Sequence, residues 1–150
     1  MTKKTKNLEY YEAVGRRKTS VARVRLYLTG KDKTTVINGQ KLKAGEVVIN
    51  KKPLEKIFTE EYKRNFITSP LKALNSEERF VVSIITKGGG KNGQLEAVVH
   101  GISRALVLAD EGNKTSLKKL GLLTRDPRKK ERRKVGTGGK ARRTKQSPKR

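Results

Sequence analysis

Phe80-Val81-Val82-Ser83-Ile84-Ile85-Thr86-Lys87-Gly88-Gly89-Gly90-Lys91-Asn92-Gly93-Gln94-Leu95-Glu96-Ala97-Val98-Val99-His100-Gly101-Ile102 is the stretch that decides the architecture of this chain. Residues 80–85 are almost all apolar, which predicts a strand buried on both faces. The glycines and lysines of 87–93 interrupt it. From Gln94 onward Leu95, Val98, Val99, Ile102, Leu106 and Ala109 recur at helical spacing and predict one apolar stripe. Gly112 suits a helix stop. A buried strand feeding a long amphipathic helix implies a mixed α+β domain.

Working back from that unit, Ala22, Val24, Leu26 and Leu28 alternate with Arg23, Arg25 and Tyr27, the period of a half-buried strand with a basic outer face. That face is either solvated or lies on phosphates. Three cations stand together in Gly15-Arg16-Arg17-Lys18-Thr19, with the β-prone Tyr10 to Val14 before them, so a hairpin is expected. Residues 1–9 are polar and expected to be mobile, with order beginning near Tyr10. Val36-Ile37-Asn38-Gly39-Gln40-Lys41-Leu42 is echoed by Val48-Ile49-Asn50-Lys51-Lys52-Pro53-Leu54. Asn38-Gly39 signals a type I′ turn, and two short strands around turns are expected. Two copies do not make a solenoid, and the echo carries no function. Pro53 opens a helix whose apolar residues are Leu54, Ile57, Phe58 and Tyr62, ending before Ser69-Pro70. A second apolar segment runs from Leu71 to Leu74, and a last short helix spans residues 115–120, closed by Gly121.

Charge narrows the class of partner. Thirty-eight Lys and Arg against 14 Asp and Glu give a formal +24 over 150 residues. Such an excess repels itself unless an anion neutralises it, so a polyanion is the expected partner. No stretch approaches the roughly 18 apolar residues of a membrane span. Hydrophobic residues are only 33% of the chain, below the roughly 45–50% of an average domain, so the core must be small and local. There is no Cys, which removes disulfide and thiolate chemistry and most structural zinc sites. Met1-Thr2-Lys3-Lys4 has no apolar signal-peptide core, and a cytoplasmic location is expected.

The basic charge is uneven. Residues 125–150 hold 13 Lys and Arg against only Asp126 and Glu131, a net +11. With only Val135 and Ala141 apolar, the segment buries too little to offset its ordering entropy and is expected to be disordered alone. Extended at roughly 3.3 Å per residue it would reach about 85 Å. Its cations cluster as Arg128-Lys129-Lys130, Arg132-Arg133-Lys134, Arg142-Arg143 and Lys149-Arg150, with Gly136-Thr137-Gly138-Gly139 as hinges. Binding to RNA phosphates through such clusters falls steeply with salt; the competing readings are a localisation patch or a solvated tail.

Enzymatic readings fit less well. The glycine loop at the start of a helix invites a phosphate. Yet Gly90-Lys91-Asn92 stands where a P-loop needs Gly-Lys-Ser/Thr, and Gly88, Gly90 and Gly93 meet the dinucleotide spacing without an acid about 20 residues on. A tight turn for strand–helix packing and an RNA phosphate site both remain open for this loop. His100, the only histidine, lies near Glu96 with no nucleophile in view and is assigned a structural or RNA-contacting role. No paired carboxylates stand out. Few aromatics interleave with the basic runs, which argues against a base-stacking reader of single strands.

Four stretches together resemble the ninth protein of the small ribosomal subunit, the S-nine family, in its bacterial form. They are Gly15-Arg16-Arg17-Lys18-Thr19-Ser20-Val21-Ala22-Arg23-Val24; Lys87-Gly88-Gly89-Gly90 with Gly93-Gln94, Ala97, His100-Gly101-Ile102 and Arg104-Ala105-Leu106; Leu123-Thr124-Arg125-Asp126-Pro127-Arg128 with Glu131-Arg132, Lys134-Val135-Gly136; and Lys140-Ala141-Arg142-Arg143 through Gln146 to Lys149-Arg150. The resemblance implies a four-stranded sheet packed with helices, of the left-handed βαβ type seen in the second domain of the S-five protein, with a long extended basic tail. Together with the polarity of the N-terminus and the change of composition after Leu123, it gives an expected division into a flexible N-terminus (1–9), a globular RNA-binding domain (10–123) and a tail (124–150). It implies a structural, non-catalytic constituent of the small subunit, without cofactor, metal or small-molecule substrate. Its partners would be small-subunit ribosomal RNA in the head, neighbouring head proteins and peptidyl-site tRNA.

The tRNA contacts implied are Lys149 and Arg150. The ribosomal RNA contacts expected are Arg16, Arg17, Lys18, Arg23, Arg25, Lys87, Gly89, Gly90, Lys91, Arg104, Arg125, Arg128, Lys129, Arg132, Arg133, Lys134, Lys140, Arg142, Arg143 and Lys145. Two departures stand out. Ser147-Pro148 replaces the family's usual aromatic and serine before the final Lys-Arg, and the doubled Val-Ile-Asn segment looks like an insertion lengthening a surface hairpin. The other classes weighed are a phosphotransferase using the glycine loop and a nonspecific nucleic-acid condenser.

Overall fold

The computed structural model describes residues 3–5, 8–30, 33–37 and 39–143; the expectations at Asn38, Lys145, Lys149 and Arg150 lie outside the described residues. In chain order the elements are β1 (Lys3–Thr5), β2 (Leu8–Arg17), β3 (Ser20–Leu28), β4 (Thr34–Ile37), β5 (Gln40–Lys43), β6 (Val47–Ile49), β7 (Lys52–Pro53), α1 (Leu54–Ile57), α2 (Glu61–Lys72), a 3₁₀ turn (Glu77–Arg79), β8 (Phe80–Lys87), α3 (Lys91–Ala109) and α4 (Asn113–Lys119). The α+β reading holds, and the sheet is larger than the expected four strands. Its order is β1-β2-β3-β8-β6-β7, with four strands forming the body and the short β1 and β7 added at the edges. All pairs in it are antiparallel except β6 with β8, where α1 and α2 provide the crossover a parallel pair needs. Pairing also begins earlier than Tyr10, since β1 lies against the start of β2.

The two faces of the sheet bury different things. On one face Ala22, Val24 and Leu26 of β3 and Val82 and Ile84 of β8 meet Ile67 and Leu71 of α2 and the stripe of α3. On the other, the β4–β5 hairpin lays Ile37 and Leu42 over Tyr10, Tyr27, Val48 and Val81. Tyr27 is therefore buried rather than outward in solvent. The hairpin covers only one end of this face. Beyond it Ile85 of β8 is exposed, so β8 is doubly buried only in its first half.

The echoed segments fold alike. β4 and β5 are joined by a two-residue turn with Gly39 at φ +80°, and β6 and β7 by Asn50 (φ 49°) and Lys51 (φ 64°). In the second turn Asn50 holds left-handed backbone without glycine, its side chain tied to β8, the neighbour of β6 in the sheet. Thr86 N–H donates to its Oδ1 at 3.0 Å, and its Nδ2 donates to Thr86 Oγ1 at 3.1 Å.

Helix boundaries depart from expectation in several places, the last helix running Asn113–Lys119 rather than 115–120. The helix after Pro53 is two helices, broken at buried Phe58, so Tyr62 falls on an exposed face. Pro70 sits inside α2 instead of ending it. Proline leaves the carbonyl four residues back without its helical donor, and here Ser69 Oγ donates to that Phe66 oxygen at 2.8 Å. Finally, α3 starts at Lys91, three residues before Gln94, with Gly93 inside its first turn. A Cβ on Gly93 would stand 2.8 Å from Ser20 Oγ, so a tertiary contact sets that glycine.

Candidate nucleic-acid interface

The cationic turn and the glycine loop, far apart in sequence, meet at one end of the sheet. β2 and β3 are joined through Lys18 and Thr19, with Lys18 at φ 50°. Ser20 Oγ and Gln94 Nε2 each donate to the Gly88 carbonyl at 3.1 Å. A Cβ on Gly89 would lie 2.0 Å from Ser20 Oγ, so the loop packs there only as glycine. Tight packing and an anion site are thus compatible readings of one loop. A cleft of about 330 Å³ opens between Lys18 and Lys91, at the N-terminus of α3. Gly90 caps that helix with no side-chain hydrogen bond, leaving its first N–H groups and its dipole facing a site flanked by lysines. Lys18, Lys87, Gly89, Gly90 and Lys91 are all exposed around it.

The strand cations divide. Arg23 is exposed on the second face of the sheet. Arg25 is half-buried, its Nε 2.7 Å from Glu12 and its guanidinium 4.8 Å from the centre of the Tyr10 ring. Arg16 is exposed, and its backbone N–H donates to His100 Nδ1 at 3.4 Å. Burial, with Arg104 and Arg125 nearby, pushes His100 below its ordinary pKa, in keeping with an Nδ1 that accepts the Arg16 N–H and ties α3 to β2. Arg104 spends one guanidinium N–H on the Val14 carbonyl.

Arg17 differs from its neighbours. It is only 9% exposed. Its Nε meets the Glu96 carboxylate of α3, its Nη1 donates to the Arg128 carbonyl at 2.9 Å, and its Nη2 lies 3.0 Å from Asp126. Asp126 also receives the Arg128 backbone N–H at 2.9 Å and the Arg128 guanidinium at 2.7 Å. The Arg128 side chain, its backbone N–H and Arg17 hold the Asp126 carboxyl well below the usual carboxylate range. The expected surface cations Arg17 and Arg128 are thus engaged within the chain at the root of the tail.

Beyond that root, residues 127–136 are exposed without helix or strand. The tail is not simply extended, however. It doubles back, with Lys140 N–H donating to the Thr137 carbonyl at 3.2 Å and Lys134 N–H to the Lys140 carbonyl at 3.2 Å. Arg142 closes the loop on Glu131, at 2.9 and 2.6 Å to its two carboxylate oxygens. Gly136, Gly138 and Gly139 turn at positive φ, and Thr137 Oγ1 donates to the Lys134 carbonyl at 2.7 Å. Lys129, Lys130, Arg132, Arg133, Lys140 and Arg143 form no ion pair among the described residues, while Lys134 acts with Arg142 on the Glu131 carboxylate.

Sequence reasoning places the cations but misses the acids that organise them. Glu96 stands out in the sequence only as a neighbour of His100, and Asp126 and Glu131 only as the two acids of the basic tail. The signal for Asp126 and Glu131 is that they alone interrupt the basic run of residues 125–150; nothing in the local pattern marks Glu96.

A small mixed α+β domain whose cationic end continues into a basic arm belongs to the class of proteins that pack against a polyanion. The family of Ribosomal protein S9/S16 matches residues 15–150, and the chain belongs to that family. It is accordingly a ribosomal protein, part of a ribonucleoprotein that acts in translation, with the ribosome and its RNA as partners. No helix among the described residues is long and apolar enough to cross a membrane.

Proposed function

We propose that the chain is a structural, non-catalytic constituent of the head of the small ribosomal subunit. In this reading the Lys18–Lys91 cleft, Arg16, Arg23 and Arg125 take ribosomal RNA phosphates beside the domain. The cations of the arm, from Lys129 to Arg143 and on to Lys145, thread between RNA segments and lower the cost of bringing phosphates together. The tip, Lys149 and Arg150, reaches the peptidyl site and holds phosphates of the tRNA anticodon stem-loop. The observation that carries the reading is the arm itself. An exposed run without helix or strand keeps six cations out of any ion pair among the described residues, on a domain that also presents an open helix N-terminus. Such a surface is favourable only against dense negative charge.

Phosphate contacts carry no sequence information, so the tip should hold any tRNA equally. Deleting residues 147–150 is expected to weaken tRNA retention in the peptidyl site while small subunits still assemble. Filter binding of tRNA to purified mutant subunits measures it, and unchanged affinity would refute the role of the tip.

A further inference from the structure

The most buried arginine of the basic set sits where the arm begins, and it ties the end of β2 both to α3 and to the arm. We propose that Arg17 is a positioning residue: it holds no RNA, and instead fixes the direction in which the arm leaves the domain. The inference rests on the arm being the RNA ligand proposed above.

The geometry leaves Arg17 little to offer a phosphate. Its side chain is 11% exposed, and Nε, Nη1 and Nη2 each face a protein oxygen: Glu96 on α3, the Arg128 carbonyl, and Asp126. Two of these three partners belong to the arm, while Arg17 itself ends β2 and Glu96 lies within α3. The guanidinium therefore bolts the first residues of the arm to the helix–sheet core. Asp126 is the shared point, because Arg128 also closes on it through both its backbone and its side chain. Pro127, between the two, has a ring-fixed φ that stiffens the same step. An arm whose first residues are already ordered loses less freedom on binding than one loose from Leu123 onward, and preorganisation of this kind raises affinity without adding a contact.

The substitution Asp126→Asn separates this from direct attraction. It removes a negative charge and releases Arg128, so charge alone predicts tighter RNA binding. Positioning predicts weaker binding, by about tenfold if one charged hydrogen-bonded link is broken. The probe is the full chain with a fragment of small-subunit ribosomal RNA at several salt concentrations. Arg17→Gln should weaken binding similarly, with the slope of log Kd against log salt unchanged, and the double variant should be no worse than either single one. A slope shallower by about 0.7–0.9 for Arg17→Gln would mean that Arg17 had itself been neutralising a phosphate and would overturn the proposal, as would equal or tighter binding by Asp126→Asn.

Because Arg17→Gln could disturb the hairpin, a second readout needs no RNA. The chain has no Cys, so Lys118→Cys and Lys130→Cys accept a single pair of spin labels. Their distance distribution should be narrow, and broad once Asp126→Asn is added; a broad distribution at the outset would also overturn the proposal. If the unsubstituted chain bound RNA without salt dependence while the distances stayed narrow, the RNA reading of the arm would fail and the clamp would survive.

Discussion

At Gly15 and Gly101 the chain has no room for a methyl group. A Cβ on Gly15 would stand 1.9 Å from the Ala97 carbonyl and 2.4 Å from the Gly101 nitrogen, both backbone atoms of α3. A Cβ on Gly101 would stand 2.6 Å from Val24 Cγ2, a fully buried side chain that would have to shift, and 3.2 Å from the Gly15 nitrogen. Strand and helix therefore touch backbone to backbone, which brings Arg17 within reach of Glu96. Overpacking of this kind costs about 1–3 kcal/mol and occasionally more. Gly101→Ala is expected in that range and Gly15→Ala at or above its top, since backbone cannot yield as a valine can. Urea denaturation measures both; a neutral Gly15→Ala would contradict the packing described. Neither constraint was legible in the sequence. Gly15 read as the start of a cationic turn and Gly101 as one residue of a helix, because a contact between residues 86 positions apart leaves no local pattern.

Elements were legible where burial is periodic. The alternation of β3 and the stripe of α3 both stood out, because each faces the core through one side that repeats with the backbone. Reading failed where a second layer or a single hydrogen bond overrides the pattern. Tyr27 looked solvent-facing until the β4–β5 hairpin covered it. Pro70 looked like a helix end until Ser69 replaced the missing donor. The doubled segment looked like a surface insertion, yet its first copy lines a buried cluster, with Tyr10 and Tyr27 rings 5.4 Å apart beneath it. If the hairpin is structural, Leu42→Ala should destabilise the domain by about 2 kcal/mol or more, within the range for buried leucine truncation. Thermal and urea unfolding followed by circular dichroism test this, and a loss under about 0.5 kcal/mol, the size of an ordinary surface change, would show the hairpin to be ornamental.

At the scale of the whole molecule the charge explains the architecture. The small core binds sheet to helices, while the excess of +24 is carried on surfaces and on the arm, where an external anion can reach it. The sequence made the arm and its cations plain, since composition alone separates residues 125–150 from the rest. It did not reveal that the arm is rooted through Asp126 or folded back through Glu131 and Arg142, because those links depend on two acids hidden in a basic run. Part of the arm's shape thus belongs to the protein before any RNA arrives. The central claim is that the cations beyond this root carry the affinity for RNA. Comparing the full chain with one ending at Arg128, which lacks eleven Lys and Arg, tests it through the salt dependence of binding to a small-subunit RNA fragment. The account predicts the same unfolding midpoint for both, much weaker binding by the shortened chain, and a slope reduced by about 0.7–0.9 for each phosphate that the shortened chain no longer neutralises. Equal affinity and an equal slope for the two chains would contradict it.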